Sequence, residues 1–335
     1  MPEVAIELSD VSKLPAGRES FWNLLFRRSR YVVAIAVSAV IFMTLGWQFA
    51  SPPADYAGLS LLGWAGHAGL LSMLALAVLL IVTSFLCTLL IHPDSPHTGL
   101  FCALLGMSAL AIRGGTSHML IQHAQSNNEY PAVSLLLGFE SIQLGIIVLV
   151  AEMCVRELHH RFFSNTHWIT RSGAEAGVRK LQQLPAGGLG IGVSLGMSQM
   201  ISRTLRTNTL SRLVATPLAV LFSMALSFFF LYEFLQSQAT GQVMFACMAA
   251  FFIATLAAYM AFPGVPALAF ILAVPLTAAV GYWYGRNDLG LSPGQGGFFI
   301  NRALPIHFIT TGIPGAILGY YWGFSWALHT EEVDE

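Results

Sequence analysis

The sequence AGLLSMLALAVLLIVTSFLCTLLI, residues 68–91, contains no charged side chain and is long enough to cross a lipid bilayer as one helix. Seven further apolar stretches of comparable length occur along the chain. Overall, 55% of the residues are hydrophobic and only 10% are charged, a balance outside the range of water-soluble domains. We therefore expect an all-α fold, a polytopic membrane helical bundle of about eight transmembrane helices.

Each predicted span is a window of about 20 mostly apolar residues. The windows cover residues 31–49, 68–91, 98–121, 131–154, 213–235, 242–262, 267–284 and 304–326. A polar connection, residues 155–212, separates a first four-helix group, residues 31–154, from a second, residues 213–328. Internal duplication is common in membrane proteins, so this 4+4 arrangement is a candidate repeat.

Basic residues predict the orientation, because Lys and Arg next to membrane spans are retained in the cytoplasm. Thirteen of the sixteen lie before the first span or between the fourth and fifth. We therefore expect both termini in the cytoplasm and the protein in the plasma (inner) membrane. Residues 1–30 combine aromatic and basic residues in a pattern typical of an in-plane helix, residues 155–212 predict amphipathic or interfacial helices, and residues 329–335 form an acidic tail.

Arg113 and Glu140 are the charged candidates for a site within the hydrocarbon layer, where an ionised side chain is costly. Both lie about 12 to 14 Å from the outer ends of their predicted spans at 1.5 Å per residue, so adjacent helices could pair them. A double glycine after Arg113 interrupts the third span, which favours a polar cavity. A purely structural ion pair is the alternative.

The eighth span contributes two patterns. Thr310 and Thr311 precede Pro314, which should kink or open the helix in its outer half. The predicted ligand-binding residues are therefore Arg113, Thr116, Glu140, Gln143, Thr310 and Thr311. Small residues at intervals of four form a packing face, used within the chain or for a homo-oligomer or membrane-complex partner; they include Gly315, Gly319 and Gly323.

Four histidines near the outer ends of spans are weak candidates for a metal or haem site: His67, His118, His123 and His307. No nucleotide, nucleic-acid or catalytic signature accompanies them, which favours a protein without enzymatic activity and leaves any cofactor unknown. Gly192, Ser194 and Gly196 match a G-x-S-x-G pattern, but no α/β sheet is predicted to support a nucleophilic serine.

The leading interpretation is a transporter-like membrane protein that binds a small polar or anionic solute in the outer half of the bilayer. A quinone- or haem-binding electron-transfer subunit is one alternative, and it would require the outer histidines and aromatic residues to converge. A non-catalytic scaffold subunit of a membrane complex is another, and the glycine face would serve it. The sequence specifies no substrate, coupling ion or direction of transport.

Overall fold

The computed structural model describes residues 21–51, 67–91, 96–114, 120, 124, 130–163, 209–237, 239–263, 265–286 and 298–333. All regular structure in this part of the chain is helical, so the predicted all-α bundle is confirmed. Helix α1 joins Phe21–Ile41, a π-helical turn at Phe42–Gly46 and a last turn at Trp47–Ala50. The next six are α2 (His67–Ile91), α3 (Pro96–Arg113), α4 (Tyr130–Phe163), α5 (Thr209–Phe234), α6 (Thr240–Ala261) and α7 (Ala267–Gly285).

The last helix, α8, is interrupted. A short turn at Pro305–His307 leads into a π-helical turn at Phe308–Gly312, and a regular α-helix follows at Ile313–Val333. The π turn ends just before Pro314, which has no N–H to donate to the carbonyl four residues earlier. The predicted opening of this helix is therefore confirmed. A 3₁₀ turn at Phe299–Arg302 precedes α8.

Six of the described helices are long and apolar enough to cross a membrane. They are Arg28–Ala50, Leu71–Ile91, Pro131–Leu158, Val214–Phe234, Thr240–Ala261 and Ala267–Gly285. Large apolar side chains cover their outward faces; Leu71 is 68% exposed and Phe245 is 73% exposed. Only hydrocarbon can cover such a surface without cost, so the chain is an integral membrane protein in contact with lipid.

Small residues bring α1, α2 and α3 close together. The Ser38 hydroxyl of α1 donates a 3.1 Å hydrogen bond to the Ala103 carbonyl of α3. A methyl group added at Gly106 would overlap Ser38, and one at Gly99 would overlap Thr88 of α2. These contacts hold α3 along its length, although its apolar segment is shorter than the other spans.

The glycine face of α8 packs against α6 of the same chain. A methyl group at Gly315 or Gly319 would overlap the backbone carbonyl oxygen of Met248 or Phe252, and Gly323 meets the ring of Tyr259. The residues pair in increasing order on both helices, so α8 runs parallel to α6. The face predicted for an oligomer or complex partner is therefore occupied internally.

Helices α3, α4, α7 and α8 meet at the centre of the bundle. Gly145 of α4 packs on Pro275 of α7, where an added methyl group would lie 2.7 Å from the proline ring. Nearer the other end of this contact, the Ser134 hydroxyl donates a 2.6 Å hydrogen bond to the Tyr282 carbonyl. These four helices surround the buried polar residues of the candidate site.

Helix α1 begins at Phe21, so residues 21–30 continue directly into the first span. The in-plane segment expected within residues 1–30 stays a prediction. Residues 1–20 and most of the connection, residues 164–208, lie outside the described residues. The interfacial helices expected in that connection stay predictions.

Candidate functional site

Arg113 is the last residue of α3, and its side chain turns towards α1. Its Nη1 donates a 2.6 Å hydrogen bond to the Met43 carbonyl, which lies in the π-helical turn of α1. The guanidinium carbon also lies 4.3 Å from the centre of the Trp47 ring. A π turn displaces carbonyls from the regular helical ladder, and a long basic side chain at a helix end can reach one.

The predicted ion pair between Arg113 and Glu140 is therefore wrong. Arg113 is exposed beside Trp47, whereas Glu140 is completely buried. The physical reason is that α3 ends at Arg113 instead of continuing to residue 121. The arginine lies at a helix end, where it can escape the hydrocarbon layer, so it needs no buried acid as a partner.

Glu140 lies on the interior face of α4. Ser134, Leu137, Ser141 and Leu144 share that face, and each is at most 2% exposed. Glu140 is about ten residues, or roughly 15 Å, along α4 from Tyr130, a depth close to the middle of a 30 Å hydrocarbon layer. Its carboxyl group is thus among the most deeply enclosed polar groups of the described chain.

Tyr282 of α7 is also completely buried, and it is close enough to Glu140 for the acid's charge to act on its phenol. The phenol donates a 2.6 Å hydrogen bond to the Ala303 carbonyl, and the ring packs edge-to-face on Phe308 with centroids 6.2 Å apart. Tyr282 therefore connects the buried acid to the chain segment that precedes α8.

Tyr282 differs from the two aromatic residues that follow it in the sequence. Trp283 and Tyr284 are 57% and 69% exposed, whereas Tyr282 is completely buried. The helical period of α7 was the signal that could have separated them. Positions 274, 278, 281 and 285 carry small or β-branched buried residues, and residue 282 shares their face.

Thr310 and Thr311 are buried in the π turn of α8, in contact with α3, α4 and α6. Each hydroxyl donates a 2.7 Å hydrogen bond to a carbonyl of its own helix, at Ile306 and His307. Such bonds are common for threonine in membrane helices. Both hydroxyls can still accept a hydrogen bond from a ligand.

His307 is completely buried at the start of α8. Its Nδ1 accepts a 3.0 Å hydrogen bond from the Leu304 N–H, so the hydrogen of the neutral ring is on Nε2. Nε2 points towards the Ala111 backbone of α3 but makes no well-aligned hydrogen bond within the described residues. A protonated Nε2 has no lone pair for a metal, so this arrangement does not suit His307 as a metal ligand.

Of the remaining candidates, the structure describes the side chain of Gln143 but not those of Thr116 and the three other histidines. Gln143 lies about one turn beyond Glu140 on α4 and is half-buried; its Oε1 is enclosed and has no hydrogen-bond partner within the described residues. Thr116, His118 and His123 lie outside those residues, and His67 is described only as the first residue of α2. In the described part of the chain, no group of three or more His, Cys, Asp or Glu side chains could hold a metal ion.

Helix α4, which carries Glu140, and the Tyr282 ring both contact the π turn of α8, whereas Arg113 lies against α1. No protein-family model matches the chain, and neither the curated proteins nor the solved structures include a match.

Proposed function

We propose that this membrane protein binds a small polar solute at a site within the bilayer, centred on Glu140, and carries it across. The complete burial of this carboxyl group is the main support. Placing an acid in the middle of a membrane helix costs roughly 2.5 to 3.5 kcal/mol on insertion scales, and such residues commonly mark solute or ion pathways.

The proposed site is formed by two helices. Helix α4 contributes Glu140 and Gln143, and the π turn of α8 contributes Thr310 and Thr311. Interrupted helices at this depth often border binding sites, because they leave backbone groups able to bind a ligand. Thr116 stays in the proposal from its sequence position alone.

The solute class follows from the side chains of the proposed site, which include Glu140 but not Arg113. Arg113 faces α1, so the arginine that favoured an anionic solute is not part of the site. An acid, an amide and two hydroxyls suit a cationic solute, or a neutral one rich in hydrogen-bond donors. We therefore propose a cationic or neutral polar solute.

The basic residues of the sequence support a plasma (inner) membrane location with both termini in the cytoplasm. In this orientation Glu140 lies in the outer half of the bundle. The electron-transfer alternative has less support, because His307 holds its Nε2 hydrogen where a metal would need a lone pair. The scaffold alternative loses its glycine face, which packs on α6.

The first test measures solute binding by thermal unfolding of the full chain in lipid nanodiscs. Four probe solutes are choline, glutamine, glucose and lactate, each at high concentration. A solute that binds only the folded protein at 100 times its Kd adds about 2.7 kcal/mol to the free energy of unfolding and so raises Tm. We expect choline or a neutral probe to raise Tm, and lactate not to do so.

Glu140→Gln and Glu157→Gln are the matched variants. Both residues lie on α4, but Glu157 is exposed and pairs with Arg161 on the next turn, a contact of little energetic value. Stabilisation by the probe should disappear in Glu140→Gln and persist in Glu157→Gln. Equal stabilisation of both variants, or stabilisation by none of the probes, would contradict the proposal.

A further inference from the structure

Residues 298–304, which we call the strap, lie inside the end of the bundle instead of on its surface. Ile300, Ala303 and Leu304 are completely buried, and Asn301 is 3% exposed. Connecting segments normally run over the surface, because their backbone polar groups need water. A buried segment before α8 therefore needs specific partners.

Two glycines of α7 form the groove that receives the strap. A methyl group at Gly281 would lie 2.8 Å from the Ile300 side chain, and one at Gly285 would lie 2.8 Å from the Phe298 ring. On the α5 side, the Phe299 ring packs edge-to-face on Phe228, with centroids 5.1 Å apart. The strap thus fills the space between the ends of α5 and α7.

Side-chain hydrogen bonds fix the strap to both helices. The Tyr282 phenol of α7 donates to the Ala303 carbonyl at 2.6 Å, and Nη1 of Arg302 donates to the Leu235 carbonyl just after α5, also at 2.6 Å. The strap's own backbone bonds are local, from Asn301 to Phe298 and from Ala303 to Ile300. A segment with local backbone bonds can move as one body while the helices stay folded.

Tyr282 connects the strap to α4, the helix that carries Glu140. The phenol holds Ala303, the Glu140 charge acts on the same phenol, and the Ser134 hydroxyl of α4 holds the Tyr282 carbonyl. Because the strap fills the space between the ends of α5 and α7, a solute that enters there would have to displace it. Leu304, whose N–H donates to Nδ1 of His307, marks the hinge where the strap joins α8.

We propose that the strap is the gate of the Glu140 site, held closed by the Tyr282–Ala303 and Arg302–Leu235 hydrogen bonds. This inference rests on the proposed function, and it gives the Tyr282 hydroxyl a role that packing alone would not require. Opening breaks these two bonds and lifts Ile300 and Phe298 out of the glycine groove.

The test reads water access to α4 beside Tyr282, so it requires no knowledge of the solute. Ser134→Cys replaces the buried hydroxyl that bonds to the Tyr282 carbonyl, six residues before Glu140, in a background where the four natural cysteines are alanine. A membrane-impermeant methanethiosulfonate reagent is added on the strap side of proteoliposomes, and the labelling rate is measured by mass spectrometry.

Tyr282→Phe removes one of the two hydrogen bonds and should speed labelling about threefold to tenfold, the shift in opening equilibrium expected for one lost bond. Tyr284→Phe removes an equivalent hydroxyl from an exposed ring and should leave the rate unchanged. If Tyr282→Phe does not fold, Arg302→Gln removes the other bond and should have the same effect.

A disulfide tests closure. A Cβ at Gly285 lies 3.2 Å from the Phe298 Cβ, close to disulfide geometry, so Gly285→Cys with Phe298→Cys should fix the strap to α7 once oxidised. Mass spectrometry of proteolytic peptides establishes which cysteines have joined. Labelling at position 134 should stop in the oxidised protein and return after the disulfide has been reduced and the reductant removed, because a reductant would also cleave the label.

The outcomes separate the two proposals. Labelling that continues through the oxidised strap, or equal rates in Tyr282→Phe and Tyr284→Phe, overturns the gate. If Glu140→Gln still abolishes solute stabilisation in that case, the solute reaches its site by another route and only the gate is wrong. If the strap controls labelling while no probe solute binds, the gate stands and the proposed solute class fails.

Discussion

Two charged residues of this bundle avoid contact with hydrocarbon in different ways. Arg113 ends its helix and reaches the Met43 carbonyl and the Trp47 ring, while Glu140 stays enclosed beside Tyr282. The break after Arg113 could be predicted from its two glycines. Its partner could not, because a flexible arginine can reach several neighbouring helices, and a carbonyl displaced by a π turn has no recognisable sequence pattern.

Removal of the Arg113 side chain should be moderately destabilising. Arg113→Gln loses a charge-assisted hydrogen bond and a cation–π contact, and solvent exposure reduces both, so we expect a loss of about 1 to 2 kcal/mol in the free energy of unfolding. Arg286→Gln is the control, because Arg286 only lies over Trp283 at 5.4 Å. Reversible unfolding in mixed micelles provides the measurement.

A double-mutant cycle tests the corrected partner. Arg113→Gln combined with Glu140→Gln should give a coupling energy below about 0.5 kcal/mol, as expected for side chains that do not touch. Arg113→Gln combined with Trp47→Leu should give a larger one. A strong coupling between Arg113 and Glu140 would restore the ion pair predicted from the sequence.

Whole helices in this bundle are positioned by glycines that meet backbone atoms. The interval of four between Gly315, Gly319 and Gly323 predicts a close contact, and the contact is present. The sequence could not identify α6 as the partner. Every span is apolar, and a glycine face can pack closely against any helix whose backbone is accessible. The strap was missed for a different reason: its apolar residues are too few to form a membrane span, and they follow a polar connection.

Gly319→Ala should destabilise the pairing of α6 and α8. The added methyl group would overlap the Phe252 carbonyl oxygen, which cannot move without displacing α6, so we expect a loss of more than about 2 kcal/mol. Gly241→Ala, in the partner helix α6, is the control, because nothing lies within 4 Å of the added methyl group there. It should be neutral or slightly stabilising. A similar Tm for the two variants in nanodiscs would contradict this account.

The whole molecule has an arrangement of contacts that supports the proposed 4+4 division. Each helix of the first group is compared with the helix four places later. Helices α1 and α3 pack together as α5 and α7 do, and α2 packs on α4 as α6 packs on α8. Between the two groups, α4 meets α7 as α8 meets α3. The strong contact between α2 and α3 has no counterpart of similar extent between α6 and α7. The sequence suggested the division through its long polar connection, but the two groups of helices could not be aligned by residue type.

Cysteine labelling tests the proposed orientation. Single cysteines at Asn127 and Gly294 should react with a membrane-impermeant reagent added outside cells, while those at Arg171 and Glu335 should react only after permeabilisation. A background without the natural cysteines provides the control. Labelling of position 171 from outside would invert the topology and place the strap on the cytoplasmic side.

The parallel pairing of α6 with α8 also determines when this part of the bundle can be completed during synthesis. Helix α6 is made before α7, but the surface that receives Gly315 and Gly319 stays uncovered until the last helix has been translated. A chain that stops before residue 305 would present this surface, with its approachable carbonyl oxygens, to lipid or to membrane chaperones. Completion of this helix pair therefore depends on the translation of α8, and a nonsense mutation before residue 305 should leave an unassembled protein that is cleared by membrane proteases.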